Sequence, residues 1–361
     1  MKTQRARLAS FLGMALLLMA YFLTAPGITS AATATEKAET ADMKTKAVTL
    51  RSEQEQGATV HNGNGSDLLV DTAFLKEKIG KTGWVIIDMR FPEEYAEGHI
   101  PGAVLLPGWI SKLYADDTKR SETVLPRLEK EMGTMGIGND SNVILYGAVS
   151  RTSWNAVMFW TLETMGCNSS LSNCTVQSYD GGIEGWQAEG GSVEKVATNV
   201  QAKTFMAVPG THRGVKTDEL MQVVDGEKEA VIVDVRSAGE YEGTDIRALR
   251  GGHMPKSLNI DFVSNFNAET FRMLPVDELK SIYKDIPIDR RIIVHCQTGQ
   301  RAAYTYLALR TLGYTNVAIY HDGWRVYGSN MNLPVENETW FDFAKINSTV
   351  KAVREIQEEM E

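Results

Sequence analysis

Of the three cysteines in this chain, one ends a short β-branched run and opens a loop: "IIVHCQTGQRAAYTYLALRTLG" (292–313). Cys296 is followed there by Gln297, Thr298, Gly299, Gln300 and Arg301. A side chain at a strand-to-helix turn faces the backbone N–H groups that open the helix. Their orphan donors and the helix dipole favour an anion. For a thiol that anion is the thiolate, the nucleophilic form, so the position predicts a reactive cysteine rather than an inert one among apolar neighbours. Gly299 allows a left-handed turn that brings several N–H groups inward as a small anion nest. Arg301 closes the loop with a cation, and its plainer alternative is a helix-start residue paired with a nearby carboxylate.

The elements that must position this loop are legible around it. Ile292 to His295 read as a strand, and Ala302, Tyr306, Leu309 and Leu312 share one broad helical face that runs until Gly313. The pattern also occurs twice. "WVIIDMRFPEEYAEGHIPGAVLLP" (84–107) and "AVIVDVRSAGEYEGTDIRALRGGHMPKSLNI" (230–260) share a strand, Asp-x-Arg, Glu-Tyr and Gly-His-x-Pro. "NVILYGAVSRTSWNAVMFWTLETMG" (142–166) parallels residues 291–313, and "VQSYDGGIEGW" (176–186) parallels "VAIYHDGWRVYG" (317–328). Strands alternating with helical patterns predict an α/β fold, each copy a mainly parallel sheet covered by helices on both faces. The copies are placed at 67–190 and 215–335, joined by a linker at 191–214 and followed by a tail at 336–361.

Asp-x-Arg, Glu-Tyr, Gly-His-x-Pro, a cysteine loop at a strand end and a terminal Asp-Gly element, in that order and twice, resemble the rhodanese family in its tandem arrangement. The resemblance covers about residues 66–335. It implies a sulfurtransferase in which the second copy carries a persulfide-forming cysteine and the first carries none. "YGAVSR" (146–151) stands opposite "HCQTGQR" (295–301), which puts Gly147 or Tyr146 at the nucleophile position. The implied partners are a small anionic sulfur donor such as thiosulfate and a thiol or cyanide acceptor, with no cofactor and no metal. Arg301, Gln297, Thr298, Gly299 and Gln300 would hold the donor. An insertion peculiar to copy two, "TDIRALRG" (244–251), adds Arg247 and Arg250 as candidate donor-binding residues. Asp88, Arg90, Asp234, Arg236, His99 and His253 recur in both copies, so they are assigned to the fold. Two alternatives remain: a sulfane-sulfur or selenium carrier without turnover, and phosphatase or arsenate-reductase chemistry. Against the latter stands a loop of only six residues from Cys296 to Arg301.

The ends and the charge bound the setting. With 37 basic and 46 acidic side chains the net charge is -9, which gives no basic footprint for nucleic acid. "MKTQRAR", an uncharged run at 8–25 and small residues at 28–34 predict an export signal cut near Ala31, with an uncleaved membrane anchor as the alternative. Residues 32–66 are polar and aperiodic and read as a flexible linker. In an exported chain, Cys167 and Cys174 are candidates for a disulfide, two unpaired thiols being the alternative.

Overall fold

The computed structural model describes residues 67–106, 125–208 and 212–342. All of them belong to one compact unit, Thr59–Glu361. The export signal or anchor, the linker at 32–66 and a charged C-terminal segment at 348–361 lie outside the described residues. No helix among the described residues is long and apolar enough to cross a membrane.

In the first copy, β1 (Leu69–Val70), β2 (Trp84–Asp88), β3 (Ala103–Leu105), β4 (Asn142–Tyr146) and β5 (Thr175–Tyr179) form a parallel sheet ordered β1-β5-β4-β2-β3. Around it stand α1 (Thr72–Lys78), α2 (Pro92–Glu97), α3 (Leu125–Thr134), α4 (Thr152–Thr164) and α5 (Gly182–Ala188). The second copy runs through β6 (Gly214–Val215), β7 (Val231–Asp234), β8 (Arg250–His253), β9 (Leu258–Asn259), β10 (Ile292–His295), β11 (Val317–Tyr320) and β12 (Glu336–Trp340). Its helices are α6 (Thr217–Val224), α7 (Ala238–Tyr241), α8 (Val276–Ile282), α9 (Gln300–Thr311) and α10 (Gly323–Tyr327). Five of its strands repeat the parallel order, β6-β11-β10-β7-β9. Parallel strands covered on both faces must be apolar throughout, and β10 is buried at every residue.

Two boundaries move. Gly214 already pairs in the second sheet. Glu336–Trp340, expected in the tail, is a strand that pairs antiparallel with β8. The link between the copies also lies against the first one, with Lys203 N–H donating to Gly133 O at 2.9 Å and Phe205 buried.

Between the two sheets, α4 packs on α9. The sequence suggests one apolar face for α9, yet every residue from Ala302 to Thr311 is buried. Residues Asn155 to Glu163 of α4 are likewise buried without a break. Each helix has its own sheet on one side and the other copy on the opposite side, so neither keeps a solvent face. One hydrophobic core accordingly runs through both copies, from Leu145, Phe159 and Trp160 to Val294, Tyr306 and Leu309. At its centre Glu163 of α4 takes Arg310 of α9 through two hydrogen bonds of 3.1 Å and accepts from the Tyr306 hydroxyl. Burial opposes the Glu163 charge, but Arg213 and Arg310 hold its carboxyl below the usual range.

Candidate active site

Strand β10 delivers Cys296 to the carboxyl end of the second sheet, where its side chain is 1 % exposed. The backbone there is tied on both sides. Val235 N–H donates to His295 O at 2.9 Å, and Trp324 N–H to Cys296 O at 2.8 Å. The turn into α9 is made by Gly299, at φ 86° and ψ -23°, a left-handed conformation that glycine adopts without a Cβ penalty. No side chain caps α9 at Gly299. Its first-turn amides therefore remain available as donors beside the cysteine loop. A second left-handed glycine, Gly323 at φ 61°, lets the start of α10 press against the loop; a Cβ there would stand 2.7 Å from Cys296 O.

Under the loop lies a buried charged layer. Asp234 accepts from Arg236 N–H at 3.0 Å and from its guanidinium at 2.5 to 3.0 Å. The guanidinium also donates to Gly252 O at 2.7 Å and lies 4.3 Å from the Trp324 ring. Burial works against the Asp234 charge, while His295, when protonated, and Arg236 hold the carboxyl below its ordinary value. His295, 3.5 Å from Asp234, is pushed down to about 4 by burial, so it is neutral at neutral pH. Asp88 and Arg90 repeat the pair in copy one, with distances of 2.7 to 3.1 Å. His253 and His99 also repeat each other: each stacks on the tyrosine of its Glu-Tyr motif, at 3.6 and 3.7 Å. These are fold features in both copies.

The loop residues separate by what their side chains hold. Arg301 donates to both oxygens of Glu240, at 2.6 and 2.8 Å. Burial opposes its charge, but those bonds and the carboxylates of Glu240 and Asp234 hold the guanidinium above its usual value. Both terminal nitrogens are thus committed. This differs from a donor-binding fork, and the same clamp stands in copy one, where Arg151 grips Glu94 at 2.5 and 2.6 Å. Gln297 donates to Arg247 O at 2.7 Å, which fastens the insertion to the cysteine loop. Gln300 donates to Ser153 Oγ of α4 at 2.9 Å, across the copies. Thr298 stands exposed at the loop tip.

The two insertion arginines part ways. Arg247 is half exposed, pairs with Asp245 at 2.6 Å, and lies 3.6 Å from Glu240. Its place beside the Arg301–Glu240 pair fits a residue that meets an incoming anion. Arg250 does not reach the loop. It is 4 % exposed and donates to Gly328 O, Asn330 O, Leu333 O and Glu338 at 2.5 to 3.3 Å. Its donors are used in pinning the segment that leads into β12, which corrects its assignment to donor binding. Glu240, on the repeated Glu-Tyr motif, is the residue that sequence reasoning left without a role. Its recurrence at Glu94 was the available signal.

Copy one has the same frame with glycine where copy two has Cys296. Ile183 N–H donates to Gly147 O at 2.9 Å, as Trp324 N–H does to Cys296 O, so Gly147 rather than Tyr146 stands at the nucleophile position. Tyr146 corresponds to His295 and donates to Asp88 at 2.5 Å. After Gly147 the chain enters a 3-10 turn, Val149–Arg151, with no left-handed residue. Cys167 and Cys174 form a buried disulfide at the far end of α4, and Cys296 is free. Among the described residues no group of three or more His, Cys, Asp or Glu is placed to hold a metal ion.

Repeated parallel sheets, paired Asp-x-Arg and Glu–Arg clamps, and one cysteine loop define a tandem α/β protein in which only the second copy has a cysteine at this strand end. The model of the rhodanese-like domain matches residues 71–189 and 216–330, and the chain belongs to the rhodanese family. It is 31 % identical over 257 residues to a 3-mercaptopyruvate sulfurtransferase of Escherichia coli K12, covering 69 % of this chain and 87 % of that one. With a thiosulfate sulfurtransferase of Pseudomonas aeruginosa it shares 26 % over 283 residues, 74 % of this chain and 97 % of the other. Among solved structures, the 3-mercaptopyruvate sulfurtransferase SseA of Escherichia coli superposes with a TM-score of 0.59 at 28 % identity, covering 71 % of this chain and 98 % of that chain.

Proposed function

We propose that the protein is a sulfurtransferase that takes sulfane sulfur from a small anionic donor such as thiosulfate onto Cys296 and hands it to a thiol or cyanide. The observation that carries this is the free Cys296 at the end of β10, turned by left-handed Gly299 into the start of α9, in a molecule whose other copy has only glycine at that place. The Cys296 thiolate attacks the outer sulfur of thiosulfate. A new S–S bond forms, the donor's S–S bond breaks, and sulfite leaves with the electron pair. First-turn amides of α9 and the nearby guanidinium of Arg301 stabilise the negative charge of the persulfide. A cyanide or thiolate lone pair then attacks the terminal sulfur and releases the Cys296 thiolate. Two half-reactions at one sulfur give ping-pong kinetics.

Arg247, half exposed above the Arg301–Glu240 pair, supplies the positive charge that draws the donor in. A side-by-side assay of thiosulfate and 3-mercaptopyruvate on wild type and Cys296→Ser tests the reading. Turnover with thiosulfate, abolished in a Cys296→Ser variant that melts normally, is the expected result. Persulfide loading without turnover would make the protein a carrier instead, and activity retained by Cys296→Ser would place the nucleophile elsewhere. We further propose that the chain is exported through its first 31 residues. Support comes from the charge pattern of that segment and from the Cys167–Cys174 disulfide, a bond that persists in oxidising compartments.

A further inference from the structure

Among the described residues, α4 of the copy without a nucleophile reaches the cysteine loop directly through Ser153 and indirectly, by way of His321, through Trp160. Ser153, in the first turn of that helix, accepts the side-chain amide of Gln300 at 2.9 Å. Trp160, two turns further on, stacks on His321 with ring centroids 5.4 Å apart and planes within 10°. The His321 ring in turn lies against Gly299: a Cβ added to that glycine would stand 2.7 Å from its Cδ2 and Nε2. Gly299 and Gln300 are the residues that turn the chain from Cys296 into α9. One helix of copy one therefore braces the turn through both contacts.

We propose that Ser153 is a positioning residue for the Cys296 reaction, acting through Gln300 on the loop and the first turn of α9. The proposal rests on Cys296 being the sulfur-carrying residue. Gln300 is the first residue of α9, and Gly299 before it has no side chain to cap the helix. The hydroxyl of Ser153 instead holds the Gln300 side chain, and with it the first turn of α9, from 147 residues away in sequence. With it in place the α9 amides keep their aim at the sulfur; without it the first turn frays, as uncapped helix ends do. Such aim acts on the transition state more than on donor affinity, because small misplacements of reacting groups cost rate steeply.

The experiment compares single-turnover sulfite release from thiosulfate and steady-state kinetics for wild type, Ser153→Ala, Ser153→Thr, Gln300→Ala and the Ser153→Ala, Gln300→Ala double variant, with Cys296→Ser beside them. Removing one neutral hydrogen bond predicts a roughly fivefold fall in the release rate. The loss should appear equally in kcat and kcat/KM, leaving KM unchanged. Ser153→Thr, which keeps the hydroxyl, should recover most of the rate, and the double variant should be no slower than either single one. Wild-type rates in Ser153→Ala, with Cys296→Ser inactive, would overturn the positioning role and leave the functional reading standing. Strictly additive losses in the double variant, or a rate loss that Thr does not restore, would also overturn it. Activity in Cys296→Ser would overturn the functional reading itself.

Discussion

Gly299 carries the strictest local demand in the site. Its φ of 86° lies in the left-handed region, and the ring of His321 occupies the space where any other residue would place its Cβ. A non-glycine residue in that conformation costs about 1 to 2 kcal/mol before any contact is counted. Contact at 2.7 Å adds to this and pushes either the loop or His321 aside. Gly299→Ala is therefore expected to lose at least about tenfold in sulfite release while remaining folded, since the change displaces the amides beside Cys296. Sulfite release at the wild-type rate from purified Gly299→Ala would mean that the left-handed turn does not set the aim of those amides.

Among the elements, the two strand-loop-helix units invite a direct comparison. From β4 the chain passes Gly147 and enters α4 through a right-handed 3-10 turn, whereas from β10 it passes Cys296 and turns left-handed at Gly299 before α9. Both units keep the Glu–Arg clamp, Glu94 with Arg151 and Glu240 with Arg301. The clamp therefore holds a helix start to the helix of the Glu-Tyr motif, α2 in copy one and α7 in copy two, and does not by itself make a reactive site. Without a left-handed residue, the loop of copy one does not curl its amides around a side chain at position 147. A Cβ at Gly147 would also stand 2.9 Å from Asn155 Oδ1. A Gly147→Cys, Cys296→Ser double variant should take up no sulfur from thiosulfate. Stoichiometric persulfide at residue 147, read by intact-mass spectrometry, would show that copy one retains a working nest.

At the scale of the whole molecule, the copies are fused through their helices rather than tethered by the link between them. Glu163 and Arg310 form a buried ion pair across the contact, and Trp160 donates to Arg213 O at 2.8 Å. Buried pairs of this kind lock register, because separating them would leave a charge unpaired in the core. The Cys167–Cys174 bridge closes the loop after α4, next to Asn168, whose amide donates to Glu163 at 3.1 Å. If the chain is exported as proposed, mass spectrometry of the cell-envelope fraction should find the mature chain starting near Ala32. Non-reducing peptide maps of the same sample should show Cys167 joined to Cys174. Full-length chain in the cytoplasm, with all three cysteines open to alkylation, would refute export.

The sequence by itself determined the duplication, the parallel α/β sheets and the place of Cys296. All three are written in local signals: apolar runs of strand length, a glycine after the cysteine, and motifs repeated in order. It also showed that copy one has no cysteine opposite Cys296, although only the paired hydrogen bonds of Gly147 and Cys296 fixed which residue stands in its place. What Arg301, Arg250, Gln300 and Glu163 do was decided by the tertiary structure. Arg301 meets Glu240 across 61 residues, Arg250 meets Asn330 across 80, and Gln300 and Arg310 each find a partner 147 residues away in the other copy. Periodicity reports which face of an element is buried, never what covers it. The α9 helix makes the point, since its far side is buried by a helix of the other copy that no pattern within 300–311 records.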